Sequence, residues 1–242
     1  MIRPLVGRLL HRFGYSLKRV SEGWLPGRTY WTAAYLRRLG FAPKTLIDIG
    51  VAYGSPTGEN HALYEAFPDA HLVLFEPLRE FDSNVKDILA KHPGIHIPSA
   101  VGNRIGTEKI RIETPWIERS SLLRRTALEA SERILEEREV PLTTLDAALD
   151  AHRLQGPFGI KIDAEGYEVA IIKGGSKVLR KTEFVIAEVA VASRFSNGYS
   201  FAGFIALMDR HGFALCDLLD IGRAVNSEVT FIDCVFKRKS PK

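Results

Sequence analysis

From Thr45 onward, short apolar, β-branched runs alternate with stretches of helical spacing, and this alternation restricts the chain more than any other feature. Strands covered on both faces read as continuous apolar runs, and strand–helix repeats set them side by side in a parallel sheet. The runs lie at 45–49, 71–75, 95–101, 158–163 and 184–189. Helical spacing covers 58–67, 79–91, 167–179 and 200–211. Two further runs, 213–216 and 229–236, have no helix between them and are expected to pair antiparallel at a sheet edge. A minor strand is expected at 109–112, and a short helix at 142–149 capped by Thr143 or Thr144.

Composition narrows the class. The chain has 242 residues, 45% of them hydrophobic, enough for one large α/β domain with its own core. Two cysteines, Cys216 and Cys234, exclude a disulfide scaffold and suit a reduced, cytoplasmic protein. No apolar run reaches the roughly 20 residues that a bilayer crossing needs. The net charge of +4 hides an asymmetry: residues 1–44 hold nine Lys/Arg against Glu22 alone, or +8, leaving a body of −4. Positive charge is therefore not spread over the fold, which argues against a nucleic-acid partner. Within the head, Leu5, Val6, Leu9, Leu10, Phe13 and Leu17 interleave with Arg8, Arg12, Lys18 and Arg19. This basic amphipathic pattern suits peripheral contact of residues 1–20 with an anionic membrane at its inner face, or packing on the domain or a homodimer partner. The expected organisation is a helical extension over 1–44 and a catalytic-type domain over 45–242, with the polar segment 114–140 as a lid or substrate-selecting insertion.

Open parallel sheets bind ligands beyond the carboxyl ends of their strands. There the first run continues as Asp48-Ile-Gly50-Val-Ala-Tyr53-Gly54. The glycines allow close backbone approach, and Asp48 is placed to accept from a cationic amine. Glu76 ends the second run, where a carboxylate holds both hydroxyls of a ribose. The spacing Asp-x-Gly-x-x-x-Gly does not specify the tight pyrophosphate turn of a dinucleotide fold. A cofactor with a ribose and an amino-acid end fits it better. The fourth run ends in Lys161-Ile-Asp163-Ala-Glu165-Gly-Tyr-Glu168, three carboxylates at the sheet centre. Core packing does not explain Asp163, whereas Glu168 has an ordinary role at the N-terminus of the following helix.

The stretches LIDIGVAYG, LVLFEP, AVGNRIGT, VPLTTLDAAL, KIDAEGYEVAIIKGG and FVIAEV, in that order, resemble the FkbM family of methyltransferases over about residues 45–190. The resemblance implies a class I methyltransferase fold, a Rossmann-like α/β architecture with a seven-stranded mostly parallel sheet. It implies S-adenosylmethionine as methyl donor and O-methylation of a hydroxyl, commonly on a sugar of a polysaccharide, glycolipid or natural product. By position, Asp48, Gly50 and Gly54 would line the methionine end, Glu76 the ribose, and Asp163 the transfer site. The family's Asp-x-Gly-Ala-Asn-x-Gly is here Asp48-Ile-Gly-Val-Ala-Tyr53-Gly54, so Tyr53 and Pro56 would reshape the cofactor pocket.

Methyl transfer to a weakly acidic alcohol calls for collinear geometry and help in removing the proton. Asp163 is the expected base or metal ligand, with Glu165 or Glu188 beside it, and Asp163 with Glu188 would suit Mg²⁺. Trp116 with Arg119, Arg124 and Arg125 forms a candidate surface for an acidic sugar. Phe195 and Tyr199 have similar standing, and His61 lies just beyond the first loop. Two other classes stand beside this reading: a nicotinamide or nucleotide-sugar oxidoreductase, which lacks its Tyr-x-x-x-Lys pair here, and a non-catalytic cofactor-binding protein at a membrane.

Overall fold

The computed structural model describes residues 31–53, 59–126, 135–224 and 227–240. β1 (Thr45–Ile49), β2 (His71–Phe75) and β3 (Gly94–Ile97) step outward in parallel from the sheet centre. A side sheet follows, built from β4 (Ala100–Gly102), β5 (Gly106–Glu113) and β6 (Leu135–Thr144). The chain then returns to the other side of β1 with β7 (Phe158–Ile162) and β8 (Thr182–Ala190), again parallel. β9 (Phe213–Arg223) and β10 (Val229–Arg238) close the edge, with β10 inserted between β8 and β9 and antiparallel to both. The order β3-β2-β1-β7-β8-β10-β9 reverses direction between β1 and β7, which opens a crevice beyond their carboxyl ends.

Side chains alternate between the two faces of each strand. Leu46 and Leu72 pack with α1 (Ala33–Arg38), α2 (Glu59–Ala66) and α3 (Asp82–Leu89). Ile47 and Val73 point the other way, to α4 (Leu145–Ala151), α5 (Glu168–Lys173), α6 (Ser176–Leu179) and α7 (Phe201–Arg210). A third cluster, including Phe81, Ile110 and Val140, joins the side sheet to the crevice. Residues 31–39 are integral to this body: the Trp31 indole donates to Asp233 at 2.8 Å, the Tyr35 hydroxyl bonds Asp217, and Leu36 is buried beside Leu46 and Leu63. The basic stretch 1–20 lies outside the described residues, as do Gly54, Pro56 and 127–134. Among the described residues no helix is long and apolar enough to cross a membrane.

The main-sheet expectations hold, and the departures have local causes. The expected strand 95–101 is two strands in two sheets, because Pro98 has no N–H to continue the ladder and the chain turns away at Ser99. The helix expected over 167–179 breaks at Gly174, where a Cβ would sit 1.9 Å from the carbonyl oxygen of Gly102. The helix expected from Leu142 starts at Leu145, with Thr144 accepting from the Ala147 N–H at 3.1 Å. Before it, part of the proposed insertion 114–140 is strand: β6 pairs antiparallel with β5 along Glu113↔Leu135 to Gly106↔Leu142. Its LEEREVPLTT sequence has no apolar alternation to reveal it.

Candidate active site

The crevice is set by one close crossing. Gly50 adopts φ +86°, a left-handed conformation, and a Cβ there would lie 1.9 Å from the carbonyl oxygen of Asp163. Only glycine meets both conditions. The Asp163 N–H donates to the Ile49 carbonyl at 2.9 Å, and the Gly50 N–H to the Phe75 carbonyl at 3.1 Å. The ends of β1, β2 and β7 are thereby tied together around a cavity of about 400 Å³, within the range of small-molecule sites.

Glu76 lines this cavity and is almost fully buried. Its Oε2 accepts from the Ala52 N–H at 3.0 Å and its Oε1 from the Leu78 N–H at 2.9 Å. Each oxygen keeps a lone pair for a ligand hydroxyl, the arrangement a ribose diol requires. Burial pushes the Glu76 carboxyl up to about 7, against the two N–H bonds that lower it. Tyr53 also lines the cavity; its ring is 47% exposed and meets Phe81 edge-on at 4.9 Å. Asn60 completes this side and donates to the Val51 carbonyl at 3.0 Å.

Asp48 lies beneath the cavity and is not part of its lining. Its carboxylate accepts from the Tyr64 hydroxyl, and Oδ1 lies 3.6 Å from Lys161 Nζ. The cationic amine that Asp48 meets is therefore a residue of this chain. Lys161 is its register partner on β7 and is only 3% exposed. The same Nζ reaches Asp163 Oδ2 at 3.4 Å, two residues on and on the same face. Asp48 thus reaches the cavity through Lys161. Burial, opposed by Lys161 and the Tyr64 bond, raises the Asp48 carboxyl.

Asp163, Glu165 and Glu188 come together as expected, each lining the cavity, with carboxylate oxygens within 4.8 Å of one another. Asp163 is the most accessible, its side chain 33% exposed. The arginines around them carried no such expectation. Arg194 donates to Glu188 through Nη1 and to Glu165 Oε2 through Nη2 at 3.1 Å. Arg125 Nη2 reaches the same Glu165 oxygen at 3.0 Å, and its Nε reaches Glu113 at 3.1 Å. Burial still raises Glu165, to about 7, against the pull of both arginines. Glu188 is raised well above the ordinary carboxylate range by burial and by its neighbours Asp163 and Glu165. The spacing of the three acids matches a hard cation, but guanidinium groups already bridge two of them. Nothing beyond spacing favours Mg²⁺, which needs open octahedral positions.

The other candidates are structural in their contacts. Glu168 accepts from the Gly166 and Ala164 N–H groups at 3.0 and 3.3 Å and from the Tyr199 hydroxyl at 2.7 Å, closing the turn before α5. Tyr199 is committed to that bond. Arg125 is buried in ion pairs, so the grouping of Trp116 with Arg119, Arg124 and Arg125 does not form one open basic surface; Trp116 itself is 46% exposed. His61 pairs with Glu65 on the surface of α2, at 3.2 Å, away from the cavity lining. Ile117, Glu118, Ser120 and Leu122, from the segment 114–126, form part of the cavity lining. Lys161 and Arg194 are the functional candidates missed in the sequence. A lysine inside an otherwise apolar central strand, two positions from a strand-end aspartate, is the signal that marks the first. Arg194, in an irregular loop, has none.

The family described as methyltransferase FkbM domain matches residues 48–215. Among curated proteins, none matches the sequence significantly. Among solved structures, the methyltransferase FkbM of Methylobacillus flagellatus KT is 10% identical, with a TM-score of 0.46, over 80% of this chain and 43% of that one. This chain therefore spans less than half of that protein's length. The magnesium protoporphyrin IX methyltransferase of Synechocystis PCC 6803, solved with S-adenosylmethionine, is 12% identical with a TM-score of 0.45, over 86% and 76% of the two chains. A duf574 family protein of Streptomyces avermitilis is 9% identical with a TM-score of 0.49, over 86% and 81%. At these values the likenesses carry no weight for function. The family match covers well over half of the sequence and includes Asp48, Gly50, Glu76, Asp163, Glu165 and Glu188, so this chain belongs to the FkbM methyltransferase family.

Proposed function

We propose that this protein transfers the methyl group of S-adenosylmethionine to a hydroxyl of a sugar or glycoconjugate. The observation that supports this most is the juxtaposition, on the lining of one cavity, of Glu76 with the acids Asp163, Glu165 and Glu188. Glu76 would hold the ribose and the loop Gly50–Tyr53 the neighbouring part of the donor; the free lone pairs on Glu76 fit that task. When bound, the donor supplies an electrophilic methyl on a cationic sulfonium. Asp163, the most accessible acid, would take the proton from the acceptor hydroxyl, whose oxygen would take the methyl while the carbon–sulfur bond breaks and neutral S-adenosylhomocysteine leaves. Lys161 holds the Asp163 carboxylate in place at 3.4 Å. Glu165 and Glu188, held by Arg194, would complete the polar wall beside Asp163. This mechanism uses no metal ion, and turnover of the stripped protein in EDTA is expected to be undiminished.

The first test is calorimetric titration with S-adenosylhomocysteine, followed by a screen of saccharide acceptors with labelled donor. Micromolar binding and transfer to a saccharide support the reading. Absence of binding overturns the donor assignment, and transfer to nitrogen or carbon acceptors alone overturns the acceptor class. The basic head would hold the protein against an anionic bilayer, which suits a lipid-linked acceptor. If protein lacking residues 1–20 sediments with anionic vesicles as well as the full chain does, that part of the proposal fails.

A further inference from the structure

Two segments far apart in sequence meet over Glu165. The strand-like stretch 120–126 docks on the loop after β8: the Thr126 N–H donates to the Arg194 carbonyl at 2.9 Å, the Ser196 N–H to the Arg124 carbonyl at 2.7 Å, and Arg125 bridges to Phe195. The Ser121 hydroxyl donates to the Glu165 carbonyl at 2.6 Å. At the centre, Arg125 and Arg194 both lie over the Phe195 ring, at 4.9 and 5.4 Å from its centroid, and both reach the same oxygen of Glu165. Arg194 also reaches Glu188. The side chains of Arg125, Arg194, Glu165 and Glu188 are all buried or nearly so. Ser120 and Leu122 of the same segment line the cavity.

We propose that Arg194 is a positioning residue that holds Glu165 and Glu188 against the cavity and, with Arg125 and Phe195, latches the 120–126 segment over it. The inference rests on the methyl-transfer reading for what the cavity binds, but not for the latch itself. One guanidinium spans both acids because its fork offers two donors in a fixed plane, and that plane also stacks on the aromatic ring. Lysine supplies the charge without the fork. Release of the segment would remove Arg125 from Glu165 and open the cavity, so access and acid geometry change together. The charged groups around the two acids are Arg194, Arg125, Asp163 and, from β10, Asp233. Removing Arg194 takes away a cation that reaches both. The folded state then holds their protons to higher pH, so stability falls more steeply as pH rises.

The test uses the full chain as Arg194→Gln and Arg194→Lys, followed by backbone hydrogen exchange over 117–126 and by thermal unfolding across about pH 6 to 9. In Arg194→Gln, exchange of the segment is expected to rise about tenfold and the melting temperature to fall more steeply with pH than in the parent. Arg194→Lys is expected to restore the parental pH slope while exchange stays raised, and this split separates charge from latch. Should Arg194→Gln not fold, the raised exchange in Arg194→Lys still decides the matter. Exchange within about twofold of the parent in Arg194→Lys, or an unchanged pH slope in a folded Arg194→Gln, overturns the proposal. Failure of the unaltered protein to bind S-adenosylhomocysteine would overturn the donor assignment and leave the latch standing.

Discussion

Replacing Gly50 with alanine probes the contact on which the cavity depends. A non-glycine residue pays about 1–2 kcal/mol for the left-handed conformation that Gly50 holds at φ +86°. The new methyl group would start 1.9 Å from the Asp163 carbonyl oxygen, where 3.4 Å is ordinary contact, so the ends of β1 and β7 must part. Parting them breaks the 2.9 Å bond from the Asp163 N–H to the Ile49 carbonyl, a further ~1 kcal/mol. The total, about 2–3 kcal/mol before packing losses, corresponds to a drop of roughly 5–10 °C in melting temperature for a chain of this size. Displacing Asp163 by about 1 Å would cost methyl transfer on the order of a hundredfold. Urea unfolding of Gly50→Ala beside the parent reads the first quantity, and single-turnover transfer reads the second. A loss below about 1 kcal/mol would show that the two loops yield freely and would refute the role given to this crossing.

Glu76→Gln is expected to weaken S-adenosylhomocysteine binding by about 10–100-fold in calorimetry, because a diol loses a charged acceptor. The parent's affinity should rise as pH climbs through about 7, where Glu76 ionises, and the variant's should stay flat. Lys161→Met leaves Asp48 buried beside Tyr64 without its cation; a loss of about 3–5 kcal/mol by denaturant unfolding is expected, and a loss under 1 kcal/mol would mean that Asp48 is carried protonated. Asp163→Asn should bind S-adenosylhomocysteine within about threefold of the parent yet lose roughly 10²–10⁴ in kcat, and unchanged kcat would remove it as base.

The acids of the site were legible because strand ends are legible. Glu76 and Asp163 follow the last apolar residue of their runs, and Asp48 and Glu188 interrupt theirs one residue before the end, where an acid stands out. Their roles were less legible. Asp48 reads as a ligand for a cofactor amine, but that amine proves to be Lys161, and only register between β1 and β7 reveals it. β6 escaped notice because its run LEERE carries charge along most of its length; ladder bonds to β5 and pairs such as Arg111–Glu137 at 3.2 Å hold that part, and Val140 and Leu142 near its end are buried.

Hydrophobic periodicity and punctuation by glycine and proline are local quantities, and they alone determined the parallel strands, their order of appearance and the acids near the ends of four of them. The arginine pair over Glu165 and the latch through Phe195 join residues tens of positions apart in irregular segments, and the shared lysine joins two strands distant in the chain. Such contacts leave no periodic trace in the chain. Only the folded geometry, which brings two loops within hydrogen-bond distance over one buried carboxylate, decided them.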